Sequence, residues 1–293
     1  MTDHLRLGAY LLAADPTWVR SSLLRYYARL DVLVVSVPVD GRGWTGAPVA
    51  AQTVLDLVRE IDTRGIVRVV TGSWVRPDDP LAGDTAQRND ALAAVGTDVD
   101  WVLQLDTDEV LPSVEALERV LRVADERGLD AVEWPMRVLY RRLRDGGYLQ
   151  VVGANGAVFH EYPAPVAVRP GARLTHCRRT GGEFLRPVVR GDVTSVQVAR
   201  APEPGEVRVE LLDADEAIVH NSWARAPLSV RRKIASWGHH AGWRSTAYYW
   251  TRWWPAAWLW RGQRRMHPFE PALWPRLAAA PPGTGALLLE ADR

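Results

Sequence analysis

Asp100-Trp101-Val102-Leu103-Gln104-Leu105-Asp106-Thr107-Asp108-Glu109-Val110 is the stretch around which the chain is most readily ordered. Its apolar half has the length and make-up of a buried strand, and it stops at three carboxylates within four residues. Carboxylates set this close repel, so water, arginine or a divalent cation must compensate them. Ligands of open α/β sheets gather outside the carboxyl ends of the strands. Hard cations that carry phosphates are usually held by one or two carboxylates. The stretch therefore predicts a metal–phosphate site at Asp106 and Asp108.

On either side of it, apolar runs alternate with helical periods. Residues 5–14, 31–37 and 66–70 read as three earlier strands. Asp15-Pro16 has the form of an N-cap followed by proline at the first helical position, with Val19, Leu23, Tyr26, Tyr27 and Leu30 on one face. Val54, Leu57, Val58 and Ile61 mark a second helix. Asp84-Thr85-Ala86-Gln87 has the form of a capping box opening a third helix, through about Val95. A fourth runs from Ser113 to about Arg127, and residues 131–138 read as a fifth strand. This alternation predicts an α/β fold, a Rossmann-like, mostly parallel sheet with helices on both faces. Residues 145–219 carry short β-like runs rich in Gly and Pro. From Ala226 the chain looks helical again, and eight of the fourteen Trp lie between Trp237 and Trp274.

Composition narrows the function classes. A chain of 293 residues is long enough for one large domain, or one domain with an appendage. The net charge of +1 exerts no global pull on nucleic acid, so any basic surface is local. Cys177 is the only cysteine, which excludes an internal disulfide and a thiolate metal cluster. No basic-then-apolar leader opens the chain, and no apolar run reaches the roughly 18 residues of a membrane span. The expected location is the cytoplasm.

Three phosphate or nucleotide motifs compete. Gly41-x-Gly43-x-x-Gly46 matches the dinucleotide fingerprint, but it follows the second strand, and the next strand ends at Thr71-Gly72 without the acid that would hold a ribose. It reads as a plain loop. Asp106-Thr107-Asp108-Glu109-Val110 fits the nucleophile motif of the haloacid-dehalogenase phosphatases. Those also need a later lysine and paired acids, and after Lys233 only the scattered Glu270, Glu290 and Asp292 remain. The third motif is the Asp-x-Asp of nucleotide-sugar enzymes. Gly83-Asp-Thr-Ala-Gln-Arg88-Asn89-Asp-Ala-Leu92 followed by Asp100 to Glu109 resembles the central block of family 2-type glycosyltransferases with the GT-A fold. Ile218-Val-His220-Asn-Ser-Trp223-Ala-Arg225, with Lys233 and Gly238-His239, is similar to their later His segment. The second strand departs from that pattern, ending in Val37-Pro38-Val39-Asp40.

The resemblance implies transfer of a sugar from a nucleoside-diphosphate donor to an acceptor hydroxyl or amine, with Mn2+ or Mg2+ neutralising the leaving diphosphate. It implies Asp108 as metal ligand, Asp106 sharing the metal or holding the ribose, and His220 completing the set. Each also has a plainer role open to it: a solvated loop for the acids, a satisfied core residue for His220, helix-dipole support for Glu109. Arg88 suits the diphosphate, or an ion pair with Asp84 or Asp90. Asp15 and Asp40 are placed for base and ribose, though Asp15 also suits an N-cap. Arg225, Lys233, His239 and His240 suit a basic flap over phosphates, or a solvated helix face. An inverting enzyme needs a carboxylate base. Glu133 is the first candidate, then Asp192, Glu183 and Glu161.

These readings divide the chain into a catalytic domain over residues 1–225, with a donor half 1–140 and an acceptor half 141–225, and a Trp-rich helical segment over 226–293. Trp250, Trp254 and Trp258 share a helix face that suits burial against the core or in a homodimer. Trp with Arg also suits a membrane surface. Arg141, Arg142, Arg144, Arg178 and Arg179 leave a nucleic-acid acceptor open. Two rival functions stand beside transfer. A sugar-nucleotide pyrophosphorylase-like nucleotidyltransferase should have a Gly-rich Arg-Lys loop where Ala13-Ala14-Asp15-Pro16 stands. A catalytically inactive glycan-binding module should lack the acid pair, which is present.

Overall fold

The computed structural model describes residues 5–236, 242–270 and 273–288. The chain begins with strand β1 (Leu7–Leu12), a short helix α1 (Val19–Leu23), β2 (Val32–Pro38), α2 (Ala51–Ile61), β3 (Val67–Gly72) and α3 (Pro80–Val95). Strand β4 (Trp101–Leu103), strand β5 (Glu109–Val110) and α4 (Val114–Glu126) follow. Strands β3, β2, β1 and β4 lie side by side in that order and run parallel. Beyond β4 the sheet continues with Ala167–Val168, Ala131–Val132, Phe184–Val189 and Glu206–Leu212, of which Ala167–Val168 alone runs antiparallel. This is the mixed, mostly parallel α/β class that the alternation predicts.

Both faces of the sheet are covered at its centre, which is why β1 is apolar along its whole length. Leu7, Ala9 and Leu11 enter one core with Val19, Leu23, Val54, Val58, Leu117 and Leu121 from α1, α2 and α4. Tyr10 and Leu12 point the other way, into a smaller core with Ala91, Leu92 and Val95 of α3.

A second sheet stacks Arg276–Ala279, Tyr148–Val152, Met136–Arg142, Ile218–His220 and β5 in that order, and His160–Glu161 also pairs with Met136–Arg142. Its core joins Val138, Tyr140, Leu149 and Trp223 to Val230, Tyr248, Trp253 and Trp274, so the chain beyond residue 226 shares a core with it.

Local readings differ from the structure in four places. The fourth strand is expected to run up to the carboxylates, but the ladder of β4 ends at Leu103, and Glu109–Val110 forms a separate strand that pairs with His220 and Val219 in the other sheet. The fifth strand is likewise split at Glu133-Trp134-Pro135. The third helix starts at Pro80, capped by Asp79, whose Oδ1 accepts from Ala82 N at 3.0 Å. Asp79-Pro80 is the stronger N-terminal signal, and it leaves Asp84 inside the helix. Asp15 caps no helix: it accepts from Thr17 N at 2.9 Å, and α1 begins after Trp18, which takes φ 73°. Ser113 does cap α4, accepting from Ala116 N at 3.0 Å.

Candidate active site

β1 has β2 on one side and β4 on the other, so successive connections leave its neighbourhood in opposite directions. Open α/β sheets form their binding crevice at such a switch point, outside the carboxyl ends of the strands. Asp15 follows β1 and Asp106 follows β4, and Thr107 Oγ1 donates to the Asp15 carbonyl at 3.2 Å. The acid cluster therefore sits where the topology opens the sheet.

Each acid has a different partner. Asp106 Oδ1 accepts from Arg88 Nη2 at 2.9 Å, and Arg88 Nε binds Asp84 Oδ1 at 2.7 Å one helical turn back. Arg88 is buried, with the Tyr10 hydroxyl beside it. Asp108 is buried too: Oδ2 accepts from Arg225 Nη2 at 2.6 Å and Lys233 Nζ at 2.8 Å. Arg225 also pairs with Asp15, and Lys233 donates to Ser222 Oγ at 2.6 Å. His220 turns Nε2 toward Asp108 Oδ1 at 3.8 Å. Burial would raise the Asp108 carboxyl, but Lys233, Arg225 and His220 outweigh it and hold it well below the usual range. Burial opposed by Arg88 and Arg178 leaves Asp106 lowered as well. Burial also lowers Lys233 and His220, partly countered by Asp108.

Glu109 has a larger structural role than helix-dipole support. It is 1 % exposed and receives Arg178 Nη1 at 2.6 Å and Nη2 at 2.7 Å, a paired fork. Its Oε2 accepts from Asp106 N at 3.1 Å, and its carbonyl accepts from Ser22 Oγ at 2.7 Å. Arg178, named from the sequence only for a nucleic-acid acceptor, and Ser222 are the site residues whose place here the sequence reading misses. Arg178 lies between Gly171 and Gly181-Gly182, in a stretch with no helical period, and has the look of a surface charge. A buried, unpartnered Glu109 is the one signal that calls for a cation.

The structure thus brings together Asp15, Arg88, Asp106, Asp108, His220, Arg225 and Lys233. Asp40 lies exposed beyond β2 and accepts from Arg42 N at 3.0 Å. Glu133 and Asp192 stand elsewhere. Glu133 is buried against Arg186, Nε to Oε2 at 2.7 Å, and burial opposed by Arg186 raises its carboxyl. Asp192 binds His160 Nδ1 at 3.1 Å and Ser195 Oγ at 2.6 Å. Glu161 is buried with Trp274 Nε1 as its donor, and Glu183 is exposed. His239 and His240 lie outside the described residues, as do Trp237, Gly238, Glu290 and Asp292. Arg178 is committed to Glu109, and Arg141 lies buried under Trp253, 3.9 Å from its ring centroid. The arginines named for a nucleic acid therefore do not form one exposed groove.

Among the described residues no group of three or more His, Cys, Asp or Glu side chains is arranged to hold a metal. Two donors remain. Asp108 Oδ1 is the carboxylate oxygen that Arg225 and Lys233 leave alone, and it faces His220 Nε2. These two atoms, 3.8 Å apart, would be the ones to hold a cation. His220 Nδ1 is buried without a partner, so it lacks the second bond that usually fixes a ligating ring. The residues fit a half-site, of the kind a hard cation completes with water and substrate phosphate. Charge agrees: Asp15, Asp84, Asp106, Asp108 and Glu109 already engage Arg88, Arg178, Arg225 and Lys233. An incoming diphosphate needs further positive charge. A cavity of about 570 Å³ opens beside Arg225, lined also by Trp18, Arg20, Arg142 and Arg144.

No protein-family model matches the chain, and no curated protein matches it. Among solved structures it is similar to 4-diphosphocytidyl-2C-methyl-D-erythritol synthase from Anaerococcus prevotii, at 15 % identity and TM-score 0.34 over 57 % of this chain and 73 % of that one. A second structure of an enzyme of that name gives 17 % and 0.34, over 57 % and 76 %. The structure of S. aureus TarS 1–349 gives 15 % and 0.35, over 57 % of this chain and 47 % of that one. At such scores the likeness says nothing of substrate, and the fold class rests on the sheet order itself.

Proposed function

We propose that the chain is a metal-dependent glycosyltransferase, moving a sugar from a nucleoside-diphosphate sugar to an acceptor hydroxyl or amine. The observation that carries this reading is the placement of Asp106 and Asp108 at the switch point, with Arg88, Arg225, Lys233 and His220 converging on them from three distant segments. Such a site suits a leaving group that gains negative charge. Asp108 and His220 hold the cation, and Asp106 shares it or binds the ribose. A bound Mg2+ or Mn2+ supplies charge neutralisation on the departing diphosphate. Arg88 adds positive charge behind Asp106, while Asp84 fixes the direction of its planar fork. Arg225 and Lys233 add positive charge beside the diphosphate. Asp15 and Asp40, after neighbouring strands, receive base and ribose. Glu109 holds the loop still while charge moves.

Thermal unfolding with UDP-, GDP-, CDP- and dTDP-sugars, with and without Mn2+, tests this. One donor at about 100 times its Kd should raise the midpoint by roughly 5–10 °C, and only with metal. Asp108→Asn should abolish the metal-dependent part. No stabilisation by any donor, or stabilisation unchanged in Asp108→Asn, overturns the proposal. Turnover of a nucleoside triphosphate with a sugar phosphate would assign the site to nucleotidyl transfer instead.

A further inference from the structure

The Trp-rich segment divides its aromatic rings between two environments. Tyr249, Trp253 and Ala256 turn inward, into the core shared with the second sheet. Trp250, Trp254, Trp258 and Leu259 turn outward, 52 %, 36 %, 55 % and 61 % exposed. Burial of the 250/254/258 face against the core is therefore not found: a π turn over Tyr249–Trp253 and the break at Pro255 accompany Trp253 inside in its place. The outer indoles form a continuous ridge, with ring centroids 5.8 Å apart from Trp250 to Trp254 and 6.1 Å from Trp254 to Trp258. Contiguous exposed apolar surface of this kind marks an interaction site.

Charge identifies the partner. Between Ala217 and Phe269 the sequence has nine Arg and Lys and no Asp or Glu, which leaves the remainder of the chain at −8. Flanking the ridge in sequence, Arg244, Arg252, Arg261, Arg264 and Arg265 are exposed, and none forms an ion pair with a described residue. Arg252 and Arg264 are instead tied to backbone, Nη1 of each donating to a carbonyl. A second copy of the same face would bring like charges together, which disfavours a homodimer here. Stacked nucleobases need open ring faces, whereas these rings are tilted onto one another at 55° and 65°. Indoles in a row with arginines beside them suit the headgroup level of a bilayer. Among the described residues no helix is long and apolar enough to cross a membrane.

We propose that the Trp250–Trp254–Trp258 ridge and its arginines dock the protein on a bilayer surface rich in anionic lipid. The proposal is independent of the reaction assigned to the Asp106–Asp108 site. Flotation of the full chain with phosphatidylcholine vesicles, with and without one-third phosphatidylglycerol, tests it. Binding is expected on the anionic vesicles alone, with indole fluorescence quenched by brominated lipid. Arg261→Gln with Arg264→Gln should weaken binding by roughly 25-fold, at about fivefold for each arginine near the surface. Trp250→Ala with Trp258→Ala, both exposed and therefore compatible with folding, should weaken it as well and remove most of the quenching. Absence of binding to anionic vesicles overturns the proposal. So does binding that the arginine pair weakens and the Trp pair does not, which describes a polycation open to any polyanion, single-stranded DNA included. A concentration-dependent dimer dissolved by the Trp pair would give the ridge to a second copy.

Discussion

Glu161 should make the protein lose stability as the pH rises through neutrality. Its carboxyl is buried, and among the described residues its one donor is Trp274 Nε1 and no cation pairs with it. Burial therefore pushes it up from 4.5 to about 7. Between those values the folded state keeps the proton and the unfolded chain releases it, so stability falls with pH. The contribution is fully present below about pH 4.5 and gone above about pH 7. Working from that shift, the change between pH 5 and pH 8 is roughly 2.5 kcal/mol. Glu161→Gln keeps an acceptor for Trp274 and removes the ionisation. Urea unfolding of both proteins across this range should give free-energy curves that diverge at acid pH by about that amount relative to pH 8. Parallel curves would refute the reasoning and return Glu161 to an ordinary carboxylate. The outcome bears on the site, because Trp274 packs edge-on against Trp223, two residues before Arg225.

Two further substitutions separate competing effects. Gly83→Ala should gain about 1 kcal/mol in helix propensity, yet the added Cβ would lie 2.6 Å from the Trp74 carbonyl oxygen, which is backbone and cannot step aside. A net loss of roughly 1–3 kcal/mol in chemical unfolding is expected, and a gain would show that α3 shifts freely. Arg178→Leu removes the guanidinium from a fully enclosed Glu109 and should cost about 3–5 kcal/mol. Adding Glu109→Gln should restore part of that loss in a double-mutant cycle, while additive losses would deny the pairing.

The sheet was legible because both of its faces are covered at β1 and β2: these strands are apolar but for Ser36, and such runs between amphipathic helices have few alternatives. The ends of elements were less so. Asp84-x-x-Gln87 and Asp79-Pro80 both announce a helix start, and only the packing of α3 against β1 and Trp74 decides between them. The acid triad located the site, since crowded carboxylates demand a counter-charge wherever they fold. Which cations answer was hidden, because Arg178, Arg225 and Lys233 lie 69 to 125 positions away from the acids they meet. Helical spacing gave the Trp face but not its direction: a π turn shifts the register that a regular helix would keep.

The fork between Arg178 and Glu109 changes what the heritable unit of this site is. Thr107 can vary, having only a hydroxyl contact to give up, whereas Glu109 and Arg178 are worth keeping only together. Among descendants of this chain, position 109 and position 178 should be exchanged in concert, an acid and a base lost in the same lineages. Two residues 69 positions apart then form one inherited word. A pattern spelled Asp-x-Asp-Glu with a distant arginine would find its kin where Asp-x-Asp alone is too short to mean anything.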